Sequence, residues 1–303
     1  MKKVIILLII LILILIFAIC IKNFYTKEET INIENGKTND TVEEPKSIIQ
    51  EVDWSKYFDG INGAGVIYNP TENYYQIYNS ELANVRRSPC STFKIISSTI
   101  AIEHGILDLD NSTKVWSGEK FWNENWNKNI DFTEAFQTSC VWYFRELIDE
   151  IGKDLMQTEL NKLKYGNCDI TDWNGKQNTN NDNPALTGFW IESSLKISPK
   201  EQVEVLERIF GNMSEYSEET QKQLEQVMFV KVLPDSDTYL YGKTGMGKDK
   251  GVVVDSWFTG FADTKENGRI YFSIYLGETN NKNVSSTKAK EIAITLINEL
   301  SLN

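Results

Sequence analysis

The chain has 303 residues, enough for one large domain or two small ones. Its 41% apolar content, with 14 Phe, 13 Tyr and 8 Trp, fits a well-packed globular core. A net charge of -12 argues against nucleic acid as a partner, because phosphate binding needs a basic surface. Cys20, Cys90, Cys140 and Cys168 lie far apart and His104 is the single histidine, so no metal-ligand spacing is present; free, partly buried thiols are expected, with a disulfide between two of the last three as the alternative.

Met1-Lys2-Lys3 precedes an unbroken apolar run, Val4 to Ile21, closed by Lys22. Residues 1–22 read as a single membrane anchor in preference to a cleaved signal peptide, since no Ala-x-Ala-like site follows. Lipidation of Cys20 is a third alternative, disfavoured by Ile19 before it. In each case the lysines stay on the cytoplasmic side and the body is exported, either held at the outer face of the membrane or secreted. Residues 23–50, rich in Glu, Asn, Thr and Lys, read as a flexible polar tether, and 51–303 as the folded domain.

Within that domain Trp54, Tyr57 and Phe58 predict a short helix packed on the core. Gly63–Tyr68 and Tyr74–Tyr78 predict a hairpin around an Asn-Pro-Thr-Glu-Asn turn. A helix opens at Ser91. From Leu107 to about Phe210 the pattern is mainly helical: one helix from near Asp131, one from about Cys140 to Ile151 stopped by Gly152, one over Asp154–Lys164, then a long polar loop from Asp169 to Pro184. Ser198-Pro199-Lys200-Glu201 is an N-cap with Pro at the first helical position, opening a helix to about Phe210. Ser217 to about Phe229 is a further helix. Tyr239–Lys243, Val252–Phe261 and Ile270–Leu276 read as strands, and Ser286 to about Leu300 as a closing amphipathic helix. The expected class is α+β: an antiparallel sheet flanked by terminal helices, with an all-helical lobe and a cleft between them.

The chemistry centres on Ser88-Pro-Cys-Ser-Thr-Phe-Lys-Ile-Ile96. Ser91 and Lys94 are three residues apart at a helix start, so hydroxyl and amine share a face. A lysine held in an apolar setting loses part of its preference for the charged form and can activate the hydroxyl. The tetrapeptide alone is weak evidence, since Ser-x-x-Lys recurs at Ser117, Ser193 and Ser285, and a helix N-cap role for Ser91 stays open on it. His104 lies thirteen residues further along the helix. That is roughly 20 Å at 1.5 Å per residue, so a Ser-His-Asp triad on Ser91 is excluded. His104 reads as a helix-end residue complementing the dipole. Lys243-Thr244-Gly245 supplies a second lysine and a hydroxyl on an edge strand, suited to a substrate carboxylate, with Gly245 letting a ligand approach the backbone.

Together these motifs resemble the penicillin-binding protein and serine β-lactamase superfamily, and within it the class D serine β-lactamases. Pro89-Cys-Ser-Thr-Phe-Lys94, Ser139-Cys-Val141, Tyr165-Gly-Asn167, Phe189-Trp190 through Ser198, Lys243-Thr-Gly245 and Trp257-Phe-x-Gly260 occur in that family's order. The resemblance implies hydrolysis of β-lactam antibiotics, and hence resistance to them, through an acyl-Ser91 intermediate. The backbone N–H groups of Ser91 and Met246 would form the oxyanion hole. It implies further that Lys94 takes up carbon dioxide as a carbamate that serves as the base, hydrogen-bonded by the Trp190 indole. Ser139 would pass the proton to the leaving nitrogen with Lys243 close by. Thr244 would help hold the substrate carboxylate, with Val141, Gly245 and Trp257 at the substrate site. Tyr165, Asn167 and Glu192 are expected to be structural. No other cofactor, and no metal, is implied.

Two departures from the family pattern stand out. Val284–Ala293 lacks the arginine that pairs with the substrate carboxylate, leaving Lys290, ahead of Lys288, as its replacement. The polar loop 169–184 is long enough to alter the mouth of the site. Two rivals share the fold: the β-lactam sensor domain of transmembrane receptors and a cell-wall D,D-peptidase. A sensor carries several membrane segments and a His-Glu-x-x-His protease, against one apolar run and one histidine here, which leaves a decoy or truncated binder. Ser-x-Val and Trp190 argue against the peptidase. Both rivals differ from a turning-over enzyme in the fate of the acyl-serine. The Ile/Asn/Lys-rich composition suits a low-GC Gram-positive source.

Overall fold

The computed structural model describes residues 47–233, 237–280, 282 and 284–302. The expected anchor or signal segment at 1–22 lies outside the described residues, as does the tether up to residue 46. Among the described residues no helix is long and apolar enough to cross a membrane.

A seven-stranded sheet forms the centre: β1 (Ile48–Glu51), β2 (Gly63–Asn69), β3 (Tyr74–Tyr78), β4 (Phe229–Leu233), β5 (Thr238–Asp249), β6 (Val252–Thr264) and β7 (Gly268–Gly277), in the order β1-β3-β2-β7-β6-β5-β4. All neighbours are antiparallel except β1 and β3. The helices are α1 (Ser55–Phe58), α2 (Ser80–Ala83), α3 (Lys94–Glu103), α4 (Phe132–Gln137), α5 (Val141–Ile151), α6 (Lys153–Leu163), α7 (Pro199–Phe210), α8 (Glu218–Met228) and α9 (Ser286–Leu302).

Residue parity along the strands sorts the side chains into two cores. Phe258 and Ala262 of β6 and Phe272, Ile274 and Leu276 of β7 pack against Trp54, Phe58 and the Ala289, Ile292, Ala293, Leu296 and Ile297 stripe of α9. Trp257 and Phe261 of β6 and Tyr271 and Tyr275 of β7 face the larger helical core. The terminal helices therefore cover one face and the helical lobe the other, as expected. With both faces covered, β7 is buried from Ile270 to its end.

Inside the lobe, α3 is buried from Lys94 through Ala101. Its buried Ser97, Ser98 and Thr99 donate their hydroxyls to backbone carbonyls one turn back, so every face can be enclosed, and this enclosure carries Lys94 into the interior. The N-cap expected at Ser198 holds, and the helices expected near Asp131 and at Ser217 prove to be capped by those residues. Asp131 caps α4. Ser198 and Glu201 form a reciprocal capping box with Pro199 at the first helical position of α7. Ser217 caps α8.

Several expectations need correction. The domain begins earlier than residue 51: residues 48–50, read as tether, form with Glu51 a strand paired in parallel with β3. All four of its residues are exposed, so no alternation marks it. β4 follows directly on α8 and is largely exposed, so the sequence pattern takes its first residue, Phe229, as the helix end and assigns residues 230–233 to no element. Ser91 lies in a 3-10 turn, Cys90–Phe93, and the α-helix begins only at Lys94. Lys243-Thr-Gly is not at a strand end but within the twelve residues of β5. It does have a free edge, because β4 pairs only with Thr238–Tyr241.

Gly242 and Gly260 stand directly opposite each other in the β5–β6 ladder. A Cβ on Gly260 would lie 1.9 Å from Tyr241 O and 2.6 Å from Gly242 Cα. The glycine of the Trp-Phe-x-Gly motif thus lets β6 close on the strand that carries Lys243. Gly260→Ala is expected to lower the stability measured in urea by roughly 1–3 kcal/mol, through overpacking against backbone that cannot yield.

Candidate active site

The nucleophile turn is clipped from several sides. Trp190 O accepts from Cys90 N at 2.9 Å and from Ser88 Oγ at 3.1 Å. Glu192 N donates to Ser88 Oγ at 2.8 Å, and Trp257 Nε1 to Ser88 O at 3.0 Å. Thr92 Oγ1 donates to Pro89 O at 2.7 Å and accepts from Gln202 Nε2 at 2.9 Å. These bonds hold Cys90 at φ +49°, left-handed backbone that a non-glycine residue adopts only when its surroundings enforce it.

Lys94 Nζ donates to Ser91 Oγ at 3.1 Å, its one hydrogen bond among the described residues. The lysine is 1% exposed, and its amine sits 4.9 Å from the centre of the Phe144 ring. Burial lowers its pKa to about 8, opposed by the nearby Cys140 and Cys90 thiols. Both thiols are themselves pushed up by burial, Cys140 to about 11. With Cys168 they are free, as expected.

A second lysine–serine pair faces the first. Lys243 Nζ hydrogen-bonds Ser139 Oγ and also donates to Thr244 O at 3.3 Å. Ser139 sits at φ +57° in the turn between α4 and α5. Burial drives the Lys243 pKa well below the ordinary value, and the charges of Lys94 and Lys290 push the same way. Lys290, on α9, joins Gly242, Lys243, Thr244 and Phe258 around a cavity of about 190 Å³, so it reaches the Lys243–Thr244 side of the site. Burial lowers its pKa too, with Lys231 adding to the effect. Lys288 is turned toward Glu291 instead, at 3.9 Å.

Ser91, Val141 and Met246 line a cleft of about 410 Å³. Trp122, Trp126, Leu186 and Ile191 complete its apolar lining, and sequence reasoning missed all four. Two tryptophans, Trp122 and Trp126, within the Asn-rich stretch 121–129 are the sequence signal that could have pointed there. The long polar loop supplies the opposite character, with Asn178, Asn180 and Asn181 in the wall. Asn180 Nδ2 donates to Glu192 Oε2 at 2.6 Å and to Lys248 O, while Gly251 N donates to Asn180 Oδ1 at 2.8 Å. Glu192, its pKa raised by burial, also accepts from Lys248 N, so it fastens the loop to β5.

Two expected substrate residues have other roles. Trp257 is fully buried and spends its indole N–H on Ser88 O, so it positions the nucleophile turn without facing the cleft. A Cβ on Gly245 would meet Pro89 O at 2.9 Å and Thr92 Cγ2 at 3.1 Å, so this glycine admits the nucleophile turn itself and not a ligand. Trp190 is fully buried and packs on Phe93, and its Nε1 has no partner among the described residues. Asn167 clips Ser194 O and the Lys196 backbone, and Tyr165 packs edge-on against Phe93. His104, past the end of α3, pairs with Glu159 at 3.0 Å. Among the described residues no cluster of His, Cys, Asp and Glu could hold a metal ion.

The penicillin-binding protein transpeptidase domain matches residues 63–298. The chain belongs to that family. It is 33% identical over 251 residues to β-lactamase OXA-1 of Escherichia coli, covering 82% of this chain and 88% of that one. It is 29% identical over 259 residues to the regulatory protein BlaR1 of Bacillus licheniformis, covering 84% of this chain and 40% of that protein. The chain thus spans about two fifths of the length of the regulatory relatives it matches. Among solved structures, the C-terminal domain of the Bacillus licheniformis BlaR penicillin-receptor superposes with a TM-score of 0.73 at 28% identity, covering 86% of this chain and 99% of that one. The class D β-lactamase BSU-2 delta mutant gives 0.69 at 30%, covering 83% and 97%.

Burying the Lys94 amine with no opposite charge costs stability, and the cost depends on pH. The unfolded chain keeps that proton up to about 10.5, whereas the folded chain releases it above about 8. Between those values the unfolded state binds more protons, so the folded state gains stability as pH rises. Lys94→Met is therefore expected to be more stable than the wild type at pH 7, by about 1–3 kcal/mol, with the gap narrowing from pH 8 to 10.5 in urea melts.

Proposed function

We propose that the chain is acylated on Ser91 by β-lactam antibiotics and hydrolyses the resulting ester, as a class D β-lactamase. The observation that carries this reading is the 3.1 Å contact between the Ser91 hydroxyl and a buried amine with a depressed pKa, in a cleft wide enough for a bicyclic drug. The neutral fraction of Lys94 can take the hydroxyl proton as Oγ bonds the lactam carbonyl carbon. The lactam C–N bond then breaks, and the nitrogen receives a proton through Ser139, which Lys243 holds in hydrogen-bond contact. Thr244, Lys243 and Lys290 suit the carboxylate that such drugs carry, because an incoming negative charge favours the protonated form of both amines. Water then cleaves the acyl-serine ester, freeing Ser91.

The residues around Lys94 also fit carbon dioxide as an adduct on Nζ. The amine is desolvated, and the Trp190 Nε1–H is a buried donor that leaves an acceptor wanting. When bound, carbon dioxide supplies an anionic oxygen base beside Ser91. The apolar run at residues 4–21 supports export of the body, to where the drugs are met, and attachment to the membrane if that run stays uncleaved.

A second reading, a receptor that is acylated and then stalls, is supported by the likeness to the BlaR penicillin-receptor domain. Mixing the purified chain with a penicillin, with and without bicarbonate, separates the two by absorbance and intact mass. Turnover that rises with bicarbonate, with a transient adduct absent in Ser91→Ala, is the expected result. A long-lived Ser91 adduct without turnover would establish the receptor reading, and no adduct at all would overturn both.

A further inference from the structure

We infer that Arg145 is a positioning residue, holding and polarising the Trp190 indole so that its N–H binds the carbamate on Lys94; the inference rests on the carbamate reading above. Arg145 lies on α5, one turn after Val141 and on the same face. It is 6% exposed, so its charge must be paired. Asp149, one turn further on, accepts from Arg145 Nε at 3.1 Å and from Nη2, and Nη1 donates to Trp173 O at 2.9 Å. Asp149 Oδ1 also accepts from Trp173 Nε1 at 2.9 Å, which closes the clip.

The guanidinium is thereby fixed with its carbon 5.2 Å from the centre of the Trp190 ring and 5.3 Å from that of Trp173. A cation against an indole is attracted by the π density and draws it toward itself, leaving the ring N–H a stronger donor. Trp190 is the indole whose buried N–H has no acceptor among the described residues, and its ring also packs on Phe93, the residue before Lys94. One helix thus presents Val141 to the cleft and, one turn later, the cation that orients the donor.

The test is a titration of the full chain with ¹³C-bicarbonate, following the carbamate carbon by NMR, which reads occupancy without any substrate. Arg145→Gln is expected to raise the bicarbonate concentration at half occupancy about fivefold, in keeping with a desolvated cation–π contact. Arg145→Lys, which keeps a cation near the ring, is expected to recover part of the loss. In a Trp190→Phe background the Arg145 substitution should add nothing further, because the donor it acts through is gone. If Arg145→Gln does not fold, Arg145→Met carries the same comparison. A wild-type signal whose midpoint Arg145→Gln leaves unchanged, or an equal shift in the Trp190→Phe background, overturns the inference alone. No carbamate signal in the wild type overturns the reading beneath it and the inference together.

Discussion

The cleft depends on amines buried without counter-ions. Because α3 is enclosed from its first residue, Lys94 cannot reach water, and its one polar contact among the described residues is the Ser91 hydroxyl. Lys243 repeats the arrangement on the sheet side, buried and bonded to Ser139. Each serine is thus held by a lysine whose charged form is disfavoured by desolvation, and Lys94 adds its own repulsion to Lys243. A carboxylate beside either amine would restore its full charge and remove the capacity to accept a proton. The apolar packing that makes the fold stable is therefore also what tunes the chemistry.

Holding these pairs in register takes backbone that L-residues avoid. Cys90, Ser139 and Glu192 all have positive φ, and each borders the site. Such conformations cost of order 1–3 kcal/mol each and persist only when the surroundings over-determine them. Here they do so visibly: Ser88 and Cys90 are tied to Trp190 O, Ser88 is tied again to Glu192 and Trp257, and Glu192 is tied to β5. The loop that carries Trp190 and the turn that carries Ser91 are a single hydrogen-bonded unit, so a change in one is felt in the other.

Local signals were legible wherever a local rule governs. Helix caps at Asp131, Ser198 and Ser217, the hairpin of β2 and β3, and the parity of β6 and β7 follow from composition and spacing alone. β1 and β4 escaped because short exposed strands owe their existence to a neighbour and carry no alternation. The meeting of Ser91 with Lys94 was legible from i, i+3 geometry. That of Ser139 with Lys243, 104 residues apart, came from family resemblance and not from any pattern in the residues. Gly245 and Trp257 were assigned to substrate because motif membership cannot tell a residue that touches a ligand from one that supports the residue touching it. Arg145 carries no signal of its place in the sequence, and only the fold buries its guanidinium against two indoles while Asp149 stays exposed.

The same constellation serves acylation in an enzyme and in a receptor, so the pairs Ser91–Lys94 and Ser139–Lys243 cannot by themselves separate the two. Acylation needs a base only until Oγ has lost its proton. Hydrolysis needs a base that still functions once the acyl group fills the cleft and the hydroxyl is gone. At that stage the Lys94 amine loses its one hydrogen-bond partner on Ser91, which leaves it with the Phe144 ring and the Cys140 and Cys90 thiols. The proposed carbamate would bring an anion to the Trp190 indole N–H, and a donor stabilises an anion while doing nothing for a neutral amine. A buried donor left without an acceptor costs about 1–3 kcal/mol for the missing hydrogen bond, and a site that merely traps a drug has no use for it. It is useful in a site that must keep an anionic base in place through a second step. On the proposed carbamate, the unpartnered Trp190 N–H and the Arg145 cation beside its ring would both serve that second step.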